Sequence, residues 1–167
     1  SSSSIGRLSN QKILRRGKTI LSEHTGEHNW LVVGDGDFSY CASIAERLAK
    51  KSVNLYATVL EEESVHNQVY ERSATNKDII LSSSESNSQH HVRFGIDATK
   101  LTDFFPTTKF RTIEFNFPHW GGKTNAKHNR QLLDDFMGSA SEVLCQDGEI
   151  VISLCEGQGG FPASNGM

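Results

Sequence analysis

Cysteine is scarce in this 167-residue chain: Cys41, Cys145 and Cys155 form no CxxC or other metal-spaced pair. An odd count, with no signal-peptide pattern, leads to the expectation of reduced thiols in an intracellular compartment. Long apolar runs are missing too. None approaches the roughly 18 residues that span a bilayer, so a membrane-spanning role is excluded. The seven histidines lack ligand spacing, and the adjacent His90 and His91 would point to opposite faces of a strand, so no metal site is expected. No internal repeat occurs. What remains is 36% apolar and 22% charged residues with a mean hydropathy of −0.44, the composition of a soluble globular chain of one-domain size.

Acidic residues are absent from positions 1–20, which hold Arg7, Lys12, Arg15, Arg16 and Lys18. The other 147 residues carry the remaining 12 of 17 basic side chains against all 20 acidic ones. Residues 1–29, starting in low-complexity serine, are therefore expected to form a disordered basic arm, either a solvated tail or an electrostatic handle for RNA. The fold is expected to run from 30 to 167. Runs rich in Val, Ile, Leu and Phe predict strands near 30–34, 53–60, 91–96, 110–117 and 149–155. Between them, Cys41, Ile44, Ala45 and Leu48 fall at i, i+3, i+4, i+7 and predict a helix over 39–50, with Ser39 as its N-cap. A longer helix is predicted over 126–145, stopped by Gln146-Asp147-Gly148, and a weaker one over 62–72, with 82–90 as a polar loop. Strand–helix alternation of this kind implies βαβ crossovers: an α/β, doubly wound, mostly parallel sheet with helices on both faces.

Ligands of such sheets sit beyond the carboxyl ends of the strands, where the strand order reverses. The first apolar run closes on Gly34-Asp35-Gly36-Asp37, then Phe38 and Ser39 open the helix. Glycines permit a tight turn and close backbone approach, and the helix start offers unpaired N–H groups. A dinucleotide fingerprint needs a third glycine where Ser39 stands, and two carboxylates would repel a diphosphate, which disfavours an NAD enzyme. The carboxylates suit a ligand carrying a positive sulfonium and an amino group, as S-adenosyl-L-methionine (SAM) does. The second run ends "TVLEEE", placing Glu61 25 positions past Gly36 and near the roughly 20 expected for a ribose-binding acid. The same "EEES" also fits the acidic first turn of the next helix. The third run ends at Asp97 in "GIDATK", placed to meet an adenine.

The fourth run ends Asn116-Phe117-Pro118-His119. In this strand order it lies beside the first, so these residues face the transferable methyl group. An Asn carbonyl can accept from a planar N–H, an aromatic can stack on a base, and proline stiffens the backbone between them. His119 is a candidate base or, equally, a strand cap.

Together "LVVGDGDFSYCASIA", "RFGIDATKL", "FNFPHWGG", "NRQLLDDF" and "GEIVISLCEGQGG" resemble the ribosomal-RNA uridine-N3 methyltransferase-like domain family. This is a class I SAM-dependent, Rossmann-like fold, also found in relatives joined to a ferredoxin-fold anticodon-binding domain. The resemblance covers about 30–160, and it implies methylation of a uridine in large-subunit ribosomal RNA, hence a nucleolar or nuclear protein. It assigns Gly34, Asp35, Gly36, Asp37, Phe38 and Ser39 to the cofactor loop. Glu61 matches the acid after the second strand, Asp97 and Ala98 belong to the Asp-Ala-Thr motif, and Asn116, Phe117, Pro118 and His119 form the catalytic signature. The chain is expected to stop before the final antiparallel strands of such a sheet. The "GQGGFPA" loop looks more like the relatives with the anticodon-binding domain, so a non-catalytic RNA-associated module is the alternative expectation.

Overall fold

Leu31, Val32 and Val33 are each no more than 1% exposed, so the first apolar run is covered on both of its faces. The computed structural model describes residues 3–9, 26, 28–116 and 126–155. Its strands are β1 (Ser3–Ser9), β2 (Asn29–Val33), β3 (Asn54–Thr58), β4 (His91–Arg93), β5 (Phe110–Asn116) and β6 (Leu144–Cys155). They form one sheet in the order β1-β6-β5-β2-β3-β4. From β6 to β4 every neighbouring pair is parallel, and β1 alone runs antiparallel.

Side chains alternate across a strand, and the core divides accordingly. Leu31, Val33, Ile113, Phe115 and Ile150 face one side, against Leu101 of α4 (Leu101–Phe104) and Phe136, Ala140 and Val143 of α5 (Ala126–Val143). Val32, Leu55 and Ala57 face the other, against Cys41, Ile44, Ala45 and Leu48 of α1 (Ser39–Lys50) and Ile80 of α3 (Ser73–Ser82). This is the doubly wound arrangement that the strand–helix alternation predicts. Cys41 and Cys145 are buried free thiols, and among the described residues no helix is long and apolar enough to cross a membrane.

Three expectations need correction. The helix expected over 62–72 is α2 (Glu63–Val69), ended by extended backbone at Tyr70, at φ −115° and ψ 104°, and a further helix, α3, follows over residues for which none was expected. The long helix gives way to strand directly, with β6 starting at Leu144. The Gln146-Asp147-Gly148 punctuation falls inside β6, where the register with β5 slips between Phe110 and Thr112. Residues 3–9 are not a disordered arm: Ser3 pairs with Cys155 and Ser9 with Glu149 along the outer edge of β6. An antiparallel strand therefore does flank the sheet there, contributed by sequence that precedes β2. Its backbone satisfies the ladder groups that a 12-residue edge strand would leave open. Of the other basic arm residues, Lys12, Arg15, Arg16 and Lys18 lie outside the described residues.

Candidate functional site

β2 and β5 are hydrogen-bonded neighbours, yet the chain winds away from them in opposite directions, β3 and β4 to one side and β6 to the other. Connections leaving their carboxyl ends diverge and open a crevice. A cavity of about 650 Å³ occupies it.

Its floor is the turn from β2 into α1. Gly34 has φ +66°, and a Cβ there would lie 2.8 Å from Phe115 Cε1, so glycine is required by both conformation and space. Gly36, at φ +61°, has nothing within 4 Å of where a Cβ would stand. The two loop carboxylates cap the helix: Cys41 N–H donates to Asp35 Oδ2 at 2.9 Å, and Ser39 N–H donates to Asp37 Oδ1 at 2.9 Å. The expected N-cap Ser39 is thus the first helical residue, and the cap position is Phe38, left-handed at φ 68°. Burial pushes the Asp35 carboxyl up to about 6, against the opposing hydrogen bond from Cys41. Asp37 is partly exposed and is held below the usual carboxylate range, first by its bond to Ser39.

Beside this turn, the pairing of β3 with β4 continues past the strands: Val59 N–H donates to Arg93 O, Ile96 N–H to Val59 O, and Gly95 N–H to Glu61 O. Glu61 and Asp97 are thereby brought to one wall. Glu61 precedes α2, whose acidic first-turn residue is Glu63, which resolves the two expectations for "EEES". Asp97 Oδ1 accepts from both the N–H and the hydroxyl of Thr99, at 2.9 and 2.7 Å. At the end of β5, Asn116 is half-buried and lines the cavity.

Gly34, Asp35, Gly36, Ser39, Glu61, Asp97, Ala98 and Asn116 all line this one cavity. Asp37 and Phe38 do not. Left-handed backbone at Gly36 and Phe38 turns Phe38 inward, fully buried and edge-on to Phe94 at 5.5 Å, and leaves Asp37 at the helix start. Phe117, Pro118 and His119 lie outside the described residues. Lining residues that the sequence reading missed include Tyr40, Tyr70, Phe115 and Leu132. Burial and the neighbouring Glu114 push the Tyr40 hydroxyl well up, and burial also raises Glu114 itself. Three carboxylates face the cavity, and among the described residues no Lys, Arg or His lines it. Such a wall attracts cations and repels phosphate.

Residues 31–165 match the BMT5-like family, described as rRNA (uridine-N3-)-methyltransferase BTM5-like. The chain is 38% identical over 135 residues to the ferredoxin-fold anticodon-binding domain-containing protein 1 homolog of Mus musculus and to its Homo sapiens counterpart. That alignment spans 80% of this chain and 21% and 20% of those proteins, so the chain covers about a fifth of their length. Heavy metal-associated isoprenylated plant protein 41 of Arabidopsis thaliana is 29% identical over 142 residues, which is 80% of this chain and 26% of that protein. Among solved structures, the rRNA methyltransferase aviRa from Streptomyces viridochromogenes aligns with a TM-score of 0.49 at 10% identity, covering 77% of this chain and 66% of that one.

Proposed function

As a member of the BMT5-like family over residues 31–165, the chain carries a methyltransferase domain, and we propose that it binds SAM and methylates RNA at N3 of a uridine in large-subunit ribosomal RNA. The observation that carries this reading is the composition of the cavity wall. Asp35, Glu61 and Asp97 come from the ends of three successive strands and meet with no basic side chain beside them among the described residues. A phosphate-bearing cofactor would be repelled there, whereas the sulfonium and amino group of SAM would be attracted.

The residues present fit that cofactor. Asp35 and the open face of Gly36 would hold its charged end, Glu61 would accept from ribose hydroxyls, and Asp97 with Ala98 would meet the adenine. Bound there, SAM would supply an electrophilic methyl group for uridine N3, with S-adenosylhomocysteine as the leaving product. Asn116, at the end of the neighbouring strand, supplies the polar group that orients the target N–H, and the N3 proton leaves to solvent or to a base. His119 is the proposed base. A nucleolar or nuclear location goes with this substrate.

Isothermal titration with SAM and S-adenosylhomocysteine, on the full-length protein, tests the pocket; failure of both to bind refutes it. Asn116→Ala tests the chemistry. SAM affinity is expected to stay within a few-fold of wild type while kcat falls on the order of 10²-fold, read by mass spectrometry of nucleosides, because a positioned polar group at the reacting centre is worth about 3 kcal/mol. An Asn116→Ala protein with the wild-type rate would reduce Asn116 to a strand end. A full-length protein that binds SAM and yields no methylated uridine would leave an RNA-associated module instead.

A further inference from the structure

The hairpin of α2 and α3 buries polar residues where leucines would be ordinary: His66, Ser73 and Asn76 are 0%, 0% and 6% exposed. Two of the three reach the glycine loop. His66 Nε2 lies 2.5 Å from the carbonyl oxygen of Gly36, and Asn76 Nδ2 donates to the carbonyl of Asp37 at 2.9 Å. His66 Nδ1 lies 2.6 Å from Ser73 Oγ. A carbonyl has no hydrogen to give, so Nε2 is the donor to Gly36. With Nε2 donating to Gly36, Nδ1 is left to accept from the Ser73 hydroxyl, so the Gly36 carbonyl sets the tautomer and Ser73 fixes the tilt of the imidazole. Phe38, Tyr70 and Phe94 enclose the ring, with centroids 4.9, 4.6 and 5.4 Å away.

The caps on Ser39 and Cys41 and the Phe38 N–H donating to the Asp35 carbonyl tie the loop to itself, and the bonds from His66 and Asn76 tie it to the α2–α3 hairpin. The ladder of α1 begins with Ala42 N–H donating to Phe38 O, so the Gly36 and Asp37 carbonyls come too early to join it. Gly36 and Phe38 are both left-handed, at φ 61° and 68°, which sets two successive peptide planes at unusual angles. A trans peptide is planar, so holding the Gly36 carbonyl also fixes the opposite direction of the Asp37 N–H, and holding the Asp37 carbonyl fixes the Phe38 N–H. Gly36 lines the cavity; His66, Ser73 and Asn76 do not.

We propose that His66, oriented by Ser73 and seconded by Asn76, is the positioning residue of the cofactor loop, the α2–α3 hairpin holding the Gly36 and Asp37 peptides in the orientation that receives the ligand. This rests on the reading of the cavity as a SAM site. His66→Phe keeps an aromatic ring among its neighbours and removes both hydrogen bonds. In the ligand-free full-length protein, amide hydrogen exchange at Asp37, Phe38 and Ser39 is expected to rise about tenfold or more, with the Leu48 amide unchanged. SAM binding is expected to weaken about tenfold, since a loosened loop must be ordered on binding. Ser73→Ala should weaken SAM binding in the wild-type background and not in His66→Phe, because Ser73 acts only through the ring; a packing defect would make the two losses add. Should His66→Phe loosen Leu48 as well, Ser73→Ala and Asn76→Ala carry the same expectation for the loop amides. Unchanged exchange at those amides, or additive losses, overturns the proposal. Faster exchange in a protein whose wild type binds no SAM upholds the clamp and overturns the ligand reading.

Discussion

Burial pushes the Asp35 carboxyl up to about 6 from an ordinary 3.8, and the nearby carboxylates of Asp37 and Glu114 add to the rise. The native state therefore holds this proton at pH values where the unfolded chain has lost it. Stability falls as pH rises from about 4 to about 6 and stays lower above that, by on the order of 3 kcal/mol at neutrality. Asp35→Asn keeps an oxygen for the Cys41 N–H and removes the buried charge. In urea unfolding it is expected to gain about 1–3 kcal/mol at pH 8 and nothing at pH 4. The same change should weaken SAM binding by about tenfold or more, and wild-type affinity should itself drop as pH falls below about 6, when the carboxylate is neutralised. A stability gain equal at both pH values would refute burial as the cause. Sequence made Asp35, Glu61, Asp97 and Asn116 visible because each closes an apolar run. Tyr40, Tyr70 and Leu132 were hidden for different reasons: Leu132 reads as an ordinary core position of α5, Tyr40 as part of a helical turn, and Tyr70 sits at a break that local pattern does not announce. Spacing alone could not show that Phe38 turns inward, since that follows from left-handed backbone on either side of Asp37.

α1 was legible to the residue because its buried positions Cys41, Ile44, Ala45 and Leu48 are apolar at helical spacing. α3 was not, because its buried stripe is Ser73, Asn76 and Ile80, two of them polar. Hydrophobic periodicity registers a core-facing stripe only when the core is apolar, and this one faces the carbonyls of a loop. The turn between β2 and α1 gives a graded test. Gly34→Ala meets both a left-handed backbone and the Phe115 ring, whereas Gly36→Ala meets the backbone term alone. Gly36→Ala is expected to lose about 1 kcal/mol and Gly34→Ala about 2–4 kcal/mol in denaturant unfolding. Equal losses would mean that the Phe115 ring moves aside freely. Gly148 explains the misplaced strand start: a Cβ there would lie 2.6 Å from Leu144 Cδ1 and 2.9 Å from the Arg111 carbonyl, so the glycine serves an irregularity within β6 and not a turn before it.

Across the whole molecule, alternation of strand and helix foretold the doubly wound sheet and the meeting of β2 with β5, since connection rules leave few alternatives. β1 escaped because serine-rich sequence carries no period-two apolar signal, and its pairing is backbone to backbone. That pairing sets residue 3 opposite residue 155, at a Cα separation of about 5 Å for an antiparallel pair. A chain whose first and last described strands run side by side can be re-cut. Joining residue 155 to residue 3 through a short glycine-serine linker, and opening the chain in the polar loop between Glu85 and Ser88, should give a circular permutant that unfolds cooperatively with the parent's circular dichroism spectrum. If that permutant stays unfolded, the β1–β6 seam does not hold. If it folds, residues 3 and 155 share one edge of the sheet, far along the strand order from β4, and a unit bounded by them could be spliced into a loop of another protein without stretching either one.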